Sequence, residues 1–333
     1  MHLIGIRVPI IVSPILAIVV GGCGSPMNGP LSVVPAMRTS GGASVIRTTQ
    51  TSQALRHAGA IVYVGSVGGT IDTFSFVKGQ YQKVAQIDDS NGPEGLHTDS
   101  AANLYVADQG IGTEGPGTGD IAVYPKGASQ PSRFIVPGYN VSDVIAVNDG
   151  QHLYASNFGP DGQFGPGSLS FYGPTGDSPL RTTTIPGSFQ ADSLVRDAAS
   201  KDVFVSYSDN SNNGHIAHFT RGRGRPRDLG VTFGPPWGIA EDGSRNLLVA
   251  DGSGPIRIYS QEGKALGTIS VPGTAYRMAF NADYTLLYVT NFYNYDVEIF
   301  TYPQATMVAT IHAAEWGKES WTDGIAVWPP PKE

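Results

Sequence analysis

From residue 62 onward the chain is built on a repeat. A short apolar triplet recurs as Val62-Tyr63-Val64, Leu104-Tyr105-Val106, Leu153-Tyr154-Ala155, Val203-Phe204-Val205, Leu247-Leu248-Val249 and Leu287-Tyr288-Val289, with centres 40–50 residues apart. After each comes a second run that ends in an aromatic residue: Phe74, Tyr124, Tyr172, Phe219, Tyr259 and Phe300. Runs of β-branched and aromatic residues bounded by Gly, Pro, Asn and Asp read as strands. A third apolar element precedes five of the six triplets: Gly95-Leu96-His97, Val144-Ile145-Ala146, Ser193-Leu194-Val195, Gly238-Ile239-Ala240 and Arg277-Met278-Ala279. A polar turn carrying Asp99, Asp149, Asp197, Asp242 or Asp283 joins it to the triplet. The sixth copy is displaced to the C-terminus, as Asp323-Gly324-Ile325-Ala326-Val327.

Repeats of this length with three to four strands each predict a β-propeller. The displaced copy predicts how it closes: residues 324–327 supply the innermost strand of the blade begun by residues 61–90. The expected fold is therefore all-β, a six-bladed propeller over 58–333 closed by its C-terminal strand. Composition agrees. Gly (43) and Pro (24) are abundant, as a turn-rich chain requires, and 40% hydrophobic residues suffice for a core. Lys and Arg number 21 against 28 Asp and Glu, a net charge of −7, which excludes a chain held to polyanions by counterion release. Arg223-Gly224-Arg225-Pro226 spells the core of a minor-groove hook, but Pro226 falls seven residues after Phe219 as Pro131 does after Tyr124, a turn position of the blade. No nucleic-acid partner is expected.

The N-terminus reads as an export signal over residues 1–22. Arg7 gives a positive start, and Val8–Val20 is a charge-free apolar run, too short to span a bilayer at about 20 residues. It ends at Val20-Gly21-Gly22-Cys23, and Cys23 is the single cysteine of the chain. A lone cysteine after small residues and an apolar run resembles the lipobox of bacterial lipoproteins, which implies cleavage before Cys23, lipidation of its sulfur, and a membrane-anchored protein facing the periplasm or cell exterior. Residues 23–57, rich in Gly, Ser, Thr and Pro, read as a tether. The membrane is then met through the lipid anchor alone, and the propeller is expected as a monomer.

Pro93-Glu94-Gly95-Leu96 with Asn103-Leu104-Tyr105-Val106-Ala107-Asp108, and Pro236-Trp237-Gly238-Ile239-Ala240 with Asn246-Leu247-Leu248-Val249-Ala250-Asp251, resemble the NHL repeat. Tyr288-Val289-Thr290-Asn291 is similar to the YVTN signature of related propellers. The residues at the start of each inner strand are Glu94, Asp143, Asp192, Trp237, Tyr276 and Asp323. Four are carboxylates, and carboxylates converging on a channel mouth repel one another or invite a hard cation. In the gluconolactonase-like propellers, which Glu94-Gly95 and Asp323-Gly324 resemble, such positions hold a divalent metal. The resemblance implies Ca²⁺ or another divalent cation on Glu94, Asp143, Asp192 and Asp323, with Trp237, Tyr276, Arg277 and His97 facing a ligand. In that family the middle ligands are Asn; here they are Asp.

The connections 108–120, 157–168 and 207–214 are long and belong to the blades of Glu94, Asp143 and Asp192, so they frame the same mouth. Asp209-Asn210-Ser211-Asn212-Asn213-Gly214 opens like a calcium-binding loop, but its twelfth position is Thr220, which reads as a hairpin loop. No nucleophile elbow, zinc-protease helix or phosphate loop is present. The expected function is non-enzymatic binding of a small molecule or protein through the channel mouth and long loops; the alternative is a metal-dependent lactonase or related hydrolase.

Overall fold

The structure is a computed structural model that describes residues 60–332 apart from 67, 90, 111–118, 137, 148–149, 161–164, 175 and 313–321. The signal, Cys23 and the tether lie outside the described residues, as do Asp149 and the centres of the first two long loops. Three strands come first: β1 (Ile61–Ser66), β2 (Thr70–Val77) and β3 (Gln80–Asp88). Five four-stranded units follow. They are β4 (Pro93–Thr98), β5 (Leu104–Asp108), β6 (Asp120–Tyr124) and β7 (Arg133–Ile135); then β8 (Tyr139–Val147), β9 (His152–Pro160), β10 (Ser168–Tyr172) and β11 (Arg181–Thr184). Next are β12 (Gln190–Arg196), β13 (Val203–Ser208), β14 (Gly214–Phe219) and β15 (Arg227–Asp228), and then β16 (Pro236–Glu241), β17 (Leu247–Asp251), β18 (Ile256–Tyr259) and β19 (Ala265–Ile269). The last unit is β20 (Ala275–Phe280), β21 (Leu286–Asn291), β22 (Val297–Thr301) and β23 (Thr306–Ile311), before a final strand, β24 (Thr322–Trp328).

These strands form six antiparallel four-stranded sheets, the first in the order β24-β1-β2-β3. The six-bladed propeller and its closure are therefore as the repeat predicts. β24 pairs with β1 through Val62↔Val327 and Val64↔Ile325. Side chains lock it to both neighbours: Thr98 Oγ1 donates to Val327 O (2.9 Å), and Thr290 Oγ1 to Asp323 O (3.1 Å). The innermost strands touch in sequence, β4 to β8, β12, β16, β20 and β24, and back to β4.

The triplets are apolar throughout because both faces of each blade are buried. Along β5, Leu104 and Val106 pack toward the first blade, while Tyr105 and Ala107 pack toward the third. Along β1, Val62 and Val64 face the sixth blade and Tyr63 the second. Period-2 alternation thus feeds two different cores from one strand. Each of the six hydrophobic clusters joins two adjacent blades, including the first with the sixth. The strand-ending aromatics Phe74, Tyr172 and Phe219 are fully buried in these clusters or at their edges.

Arg223–Pro226 connects a 3₁₀ turn to β15, and Asp209–Gly214 forms a hairpin loop between β13 and β14. Thr220–Gly222 is a 3₁₀ turn with Arg221 at φ 50°, leading into β15. Asp209 turns its carboxylate on its own loop, accepting Ser211 N (2.8 Å) and Asn213 N (2.9 Å).

Candidate functional site

An innermost strand has a partner on one side only, so its other edge of N–H and C=O groups faces the central channel. Each innermost strand also bulges near its start. The pairing skips Glu94 in β4, Ser142 in β8, Asp192 in β12, Trp237 in β16 and the Tyr276-Arg277 step in β20, and slips likewise beside Asp323 in β24. These residues form the uppermost ring. The sequence alignment is corrected at one point: Ser142, not Asp143, occupies this ring in the third blade. Five residues separate Thr98 from Leu104, whereas six separate the equivalent Ala146 and Leu153, so counting back from Tyr154 lands one residue late.

The ring below consists of Gly95, Asp143, Ser193, Gly238, Arg277 and Gly324. Glycine here lets adjacent inner strands close in. A Cβ on Gly95 would lie 2.5 Å from Asp143 Cα, and one on Gly324 2.7 Å from Glu94 O. Arg277 is the cation of this ring, and from the sixth blade it reaches across the axis. Its Nη2 donates to Glu94 Oε1 (2.7 Å), Ser142 Oγ (3.1 Å) and Ser142 O (3.3 Å), its Nη1 donates to Asp192 O (3.0 Å), and Asp143 Oδ2 lies 3.8 Å away. Ser193 Oγ donates to Asp143 Oδ2 (2.6 Å). The guanidinium is a crossbar binding blades two, three and four to blade six.

The carboxylates are not a solvated ring. Glu94, Asp192 and Asp323 are only 4%, 4% and 7% exposed. Burial pushes Glu94 up to about 7, although Arg277 and Ser142 pull it down. Burial likewise holds Asp143, Asp192 and Asp323 above the ordinary carboxylate range, with Arg277 opposing in each case. Burial lowers the Arg277 guanidinium, but Glu94 and Asp143 outweigh it and keep the group above its usual value. Above the crossbar, Trp237, Tyr276 and Phe292 pack as a triangle with centroids 5.1–5.4 Å apart, and Tyr276 Oη donates to Glu94 Oε1 (3.4 Å). Burial and the charges of Glu94 and Asp323 raise the Tyr276 phenol far above its ordinary value.

A divalent cation shared by Glu94, Asp143, Asp192 and Asp323 does not fit this arrangement, because the guanidinium already stands among the oxygens that would bind it. Among the described residues no three acidic, histidine or cysteine side chains gather around a point as metal ligands do.

The cavity lies on the other side of the crossbar. Its volume is about 850 Å³, and its lining starts at Arg277, Asp143 and Ser193. Next comes a ring of equivalent apolar residues, Leu96, Val144, Leu194, Ile239, Met278 and Ile325. It continues past His97, Ala240, Ala279 and Ala326 to the turns at Asp99 and Tyr284 and to Pro329–Lys332. Of the sequence candidates, Arg277, Asp143 and His97 therefore meet at the cavity, while Glu94, Asp192, Asp323, Trp237 and Tyr276 lie above it. Burial pushes the His97 imidazole down to about 4, against Asp99 and the Ala146 backbone, so it is neutral at pH 7. Sequence reasoning missed Ser142 and Ser193. The usable signal for the crossbar was that Arg277 is the lone basic residue among the twelve positions of the two rings.

No family model matches the chain, and no curated protein matches it in sequence. Solved structures match its fold. A chain of the nidogen/laminin complex superposes with a TM-score of 0.64, covering 82% of this chain and 100% of that chain at 14% identity. Hydrazine synthase of Kuenenia stuttgartiensis gives a TM-score of 0.59 over 74% of this chain and 81% of that chain, at 15% identity. At such identities the likeness is one of fold alone, and the resemblance to NHL and gluconolactonase-like propellers rests at the same level.

Proposed function

We propose that this chain is a non-enzymatic binding propeller, exported and anchored through Cys23, that takes a small, largely apolar molecule into its central channel. The observation that carries this reading is the blind channel. The Arg277 crossbar ends it on one side, leaving a chamber of about 850 Å³ whose first ring is wholly apolar. That volume is within the range of roughly 300–1,000 Å³ typical of ligand pockets, where apolar walls supply affinity and a few polar groups orient the guest. Here the orienting groups are Arg277 and Asp143 at the closed end, neutral His97 in the wall, and the free strand edges. The hydrolase alternative loses its support at the throat, where the guanidinium takes the place a metal would need.

The test is a titration with Nile red, a neutral probe that brightens and shifts to the blue in apolar surroundings. Ala279 lines the chamber and is half-buried at the edge of the core shared by blades one and six, so Ala279→Phe narrows the space while leaving the throat alone. Saturable binding by the parent, at least tenfold weaker in Ala279→Phe at an unchanged melting temperature, supports the reading. Equal binding by both proteins refutes it.

A further inference from the structure

The basic residues of the propeller gather on one face. Each innermost strand runs from the throat toward the far end of the chamber, and every blade is antiparallel. The turns from first to second strand and from third to fourth strand therefore all lie on the chamber side. Among the described lysines and arginines, only Lys83, Arg257 and Arg277 stand away from these turns, the strand ends beside them and the C-terminal segment. Aspartates occur on this face too, but their oxygens hold the turns: Asp99, Asp197 and Asp242 each accept a backbone N–H of their own turn.

The densest group is the turn from β14 to β15 in blade four, where Arg221, Arg223, Arg225 and Arg227 are all exposed. Its backbone is fastened in place. Arg221 N donates to Asp202 Oδ1 (2.7 Å), Arg223 N to Thr220 O (3.0 Å), and Arg181 Nη2, from blade three, to Gly222 O (2.6 Å). The neighbouring acids are engaged elsewhere: Asp202 Oδ2 lies 2.8 Å from His218 Nε2, and Asp228 accepts Tyr207 Oη and Gly230 N (both 2.6 Å). Among the described residues none of the four arginines forms an ion pair. Beside the turn, next to Arg181, Leu180 is 67% exposed.

Fixed, unpaired guanidinium groups match phosphate oxygens in shape and charge, and an apolar side chain at their edge matches the boundary between headgroups and acyl chains. The path of the chain points the same way. β1 pairs antiparallel with β24, so Ala60, just ahead of β1, enters the propeller on this face. A tether from a lipid-bearing Cys23 pulls on the face that carries the arginines. We propose that the chamber-side face docks on an anionic phospholipid bilayer through Arg221, Arg223, Arg225 and Arg227, with Leu180 entering the headgroup layer. Docking turns the open end of the chamber toward the membrane, so the apolar guest comes from the lipid phase. That consequence rests on the binding reading above, whereas the docking rests on the charges and on where the chain enters.

The test uses full-length protein with an environment-sensitive NBD fluorophore attached through Leu180→Cys, or through Ser211→Cys in the throat-side loop between β13 and β14. The parent, treated alike, gives the background from Cys23. The vesicles are phosphatidylcholine alone or with about one-third phosphatidylglycerol, whose surface attracts each basic residue near it. On the mixed vesicles the label at position 180 should brighten about twofold and shift to the blue, and on phosphatidylcholine it should respond little. The label at position 211 should read as in buffer on both. Adding Arg223→Glu and Arg225→Glu should abolish the response at an unchanged melting temperature, as should salt at about 0.5 M. Ala279→Phe should keep it, which separates docking from occupancy of the chamber. The proposal is overturned if the label at 180 responds equally to both kinds of vesicle or to neither, if the label at 211 responds in its place, or if the charge reversals leave the response intact. It is equally overturned if vesicles leave position 180 unchanged while soluble heparin alters it through the same arginines, because the turn then serves a soluble polyanion.

Discussion

Replacing Arg277 with methionine keeps much of the side-chain volume and removes the charge that holds the throat together. The side chains of Arg277 and Glu94 are 5% and 6% exposed, so their pairing is little screened by solvent. Truncating one partner of a buried ion pair costs about 3–5 kcal/mol, because the survivor is left charged and dry. Glu94 shows the scale: its rise from 4.5 to about 7 means that ionising it is about 3 kcal/mol harder in the folded state, even with Arg277 present. In a domain of this size each kcal/mol moves the melting temperature by roughly 2–4 °C, so Arg277→Met should melt roughly 10 °C below the parent at pH 8. The pH dependence has a definite sign. A carboxyl whose folded pKa is raised gives stability that is present in full below its unfolded pKa, near 4.5, and is lost as pH climbs through about 7. Without the guanidinium the folded pKa rises further, so the loss should be larger and extend to higher pH. The deficit should therefore shrink toward pH 5, where Glu94 takes up its proton. Arg277→Met/Glu94→Gln should recover part of it at pH 8. Calorimetric or circular-dichroism melts between pH 5 and 8 give the answer. A single variant that melts within about 1 °C of the parent at pH 8, or that loses as much at pH 5 as at pH 8, would refute the crossbar argument.

Two other expectations concern the ends of the chain. Removing residues 322–333 deletes β24, opens the blade formed with β1 and strips one wall from two hydrophobic clusters, so cooperative melting should be lost; an unchanged transition would argue against ring closure. Cys23→Ser should shift the protein from the membrane fraction to a soluble or unprocessed form, read by fractionation and mass spectrometry, and normal processing with full membrane retention would count against lipidation.

The blades are written in the local pattern of the chain. Tyr105 among Leu104 and Val106 marks a strand buried on both faces, and each such strand is a local pattern that repeats, so number, order and spacing are all visible along the chain. The displaced Asp323–Val327 element even disclosed the closing strand, because a missing copy at one end and a spare at the other have one geometric solution. The start-of-strand positions Glu94, Asp192, Trp237, Tyr276 and Asp323 were legible for the same reason. Asp143 was misplaced by one residue because the turn from β8 to β9 is one residue longer than that from β4 to β5, so an equal count back from Tyr154 overshoots Ser142. What those residues meet depends instead on how the six blades come together. Arg277 is separated from Glu94 and Ser142 by 183 and 135 positions, and no local pattern encodes a side chain that crosses a ring to the opposite blade. The charges on the throat could be counted from the sequence, but their sharing could not. Nor could the chamber's place below the crossbar. Strand identity follows from nearest neighbours along the chain, whereas the electrostatics of a buried site follow from nearest neighbours in space, and in a closed ring the two sets are almost wholly different.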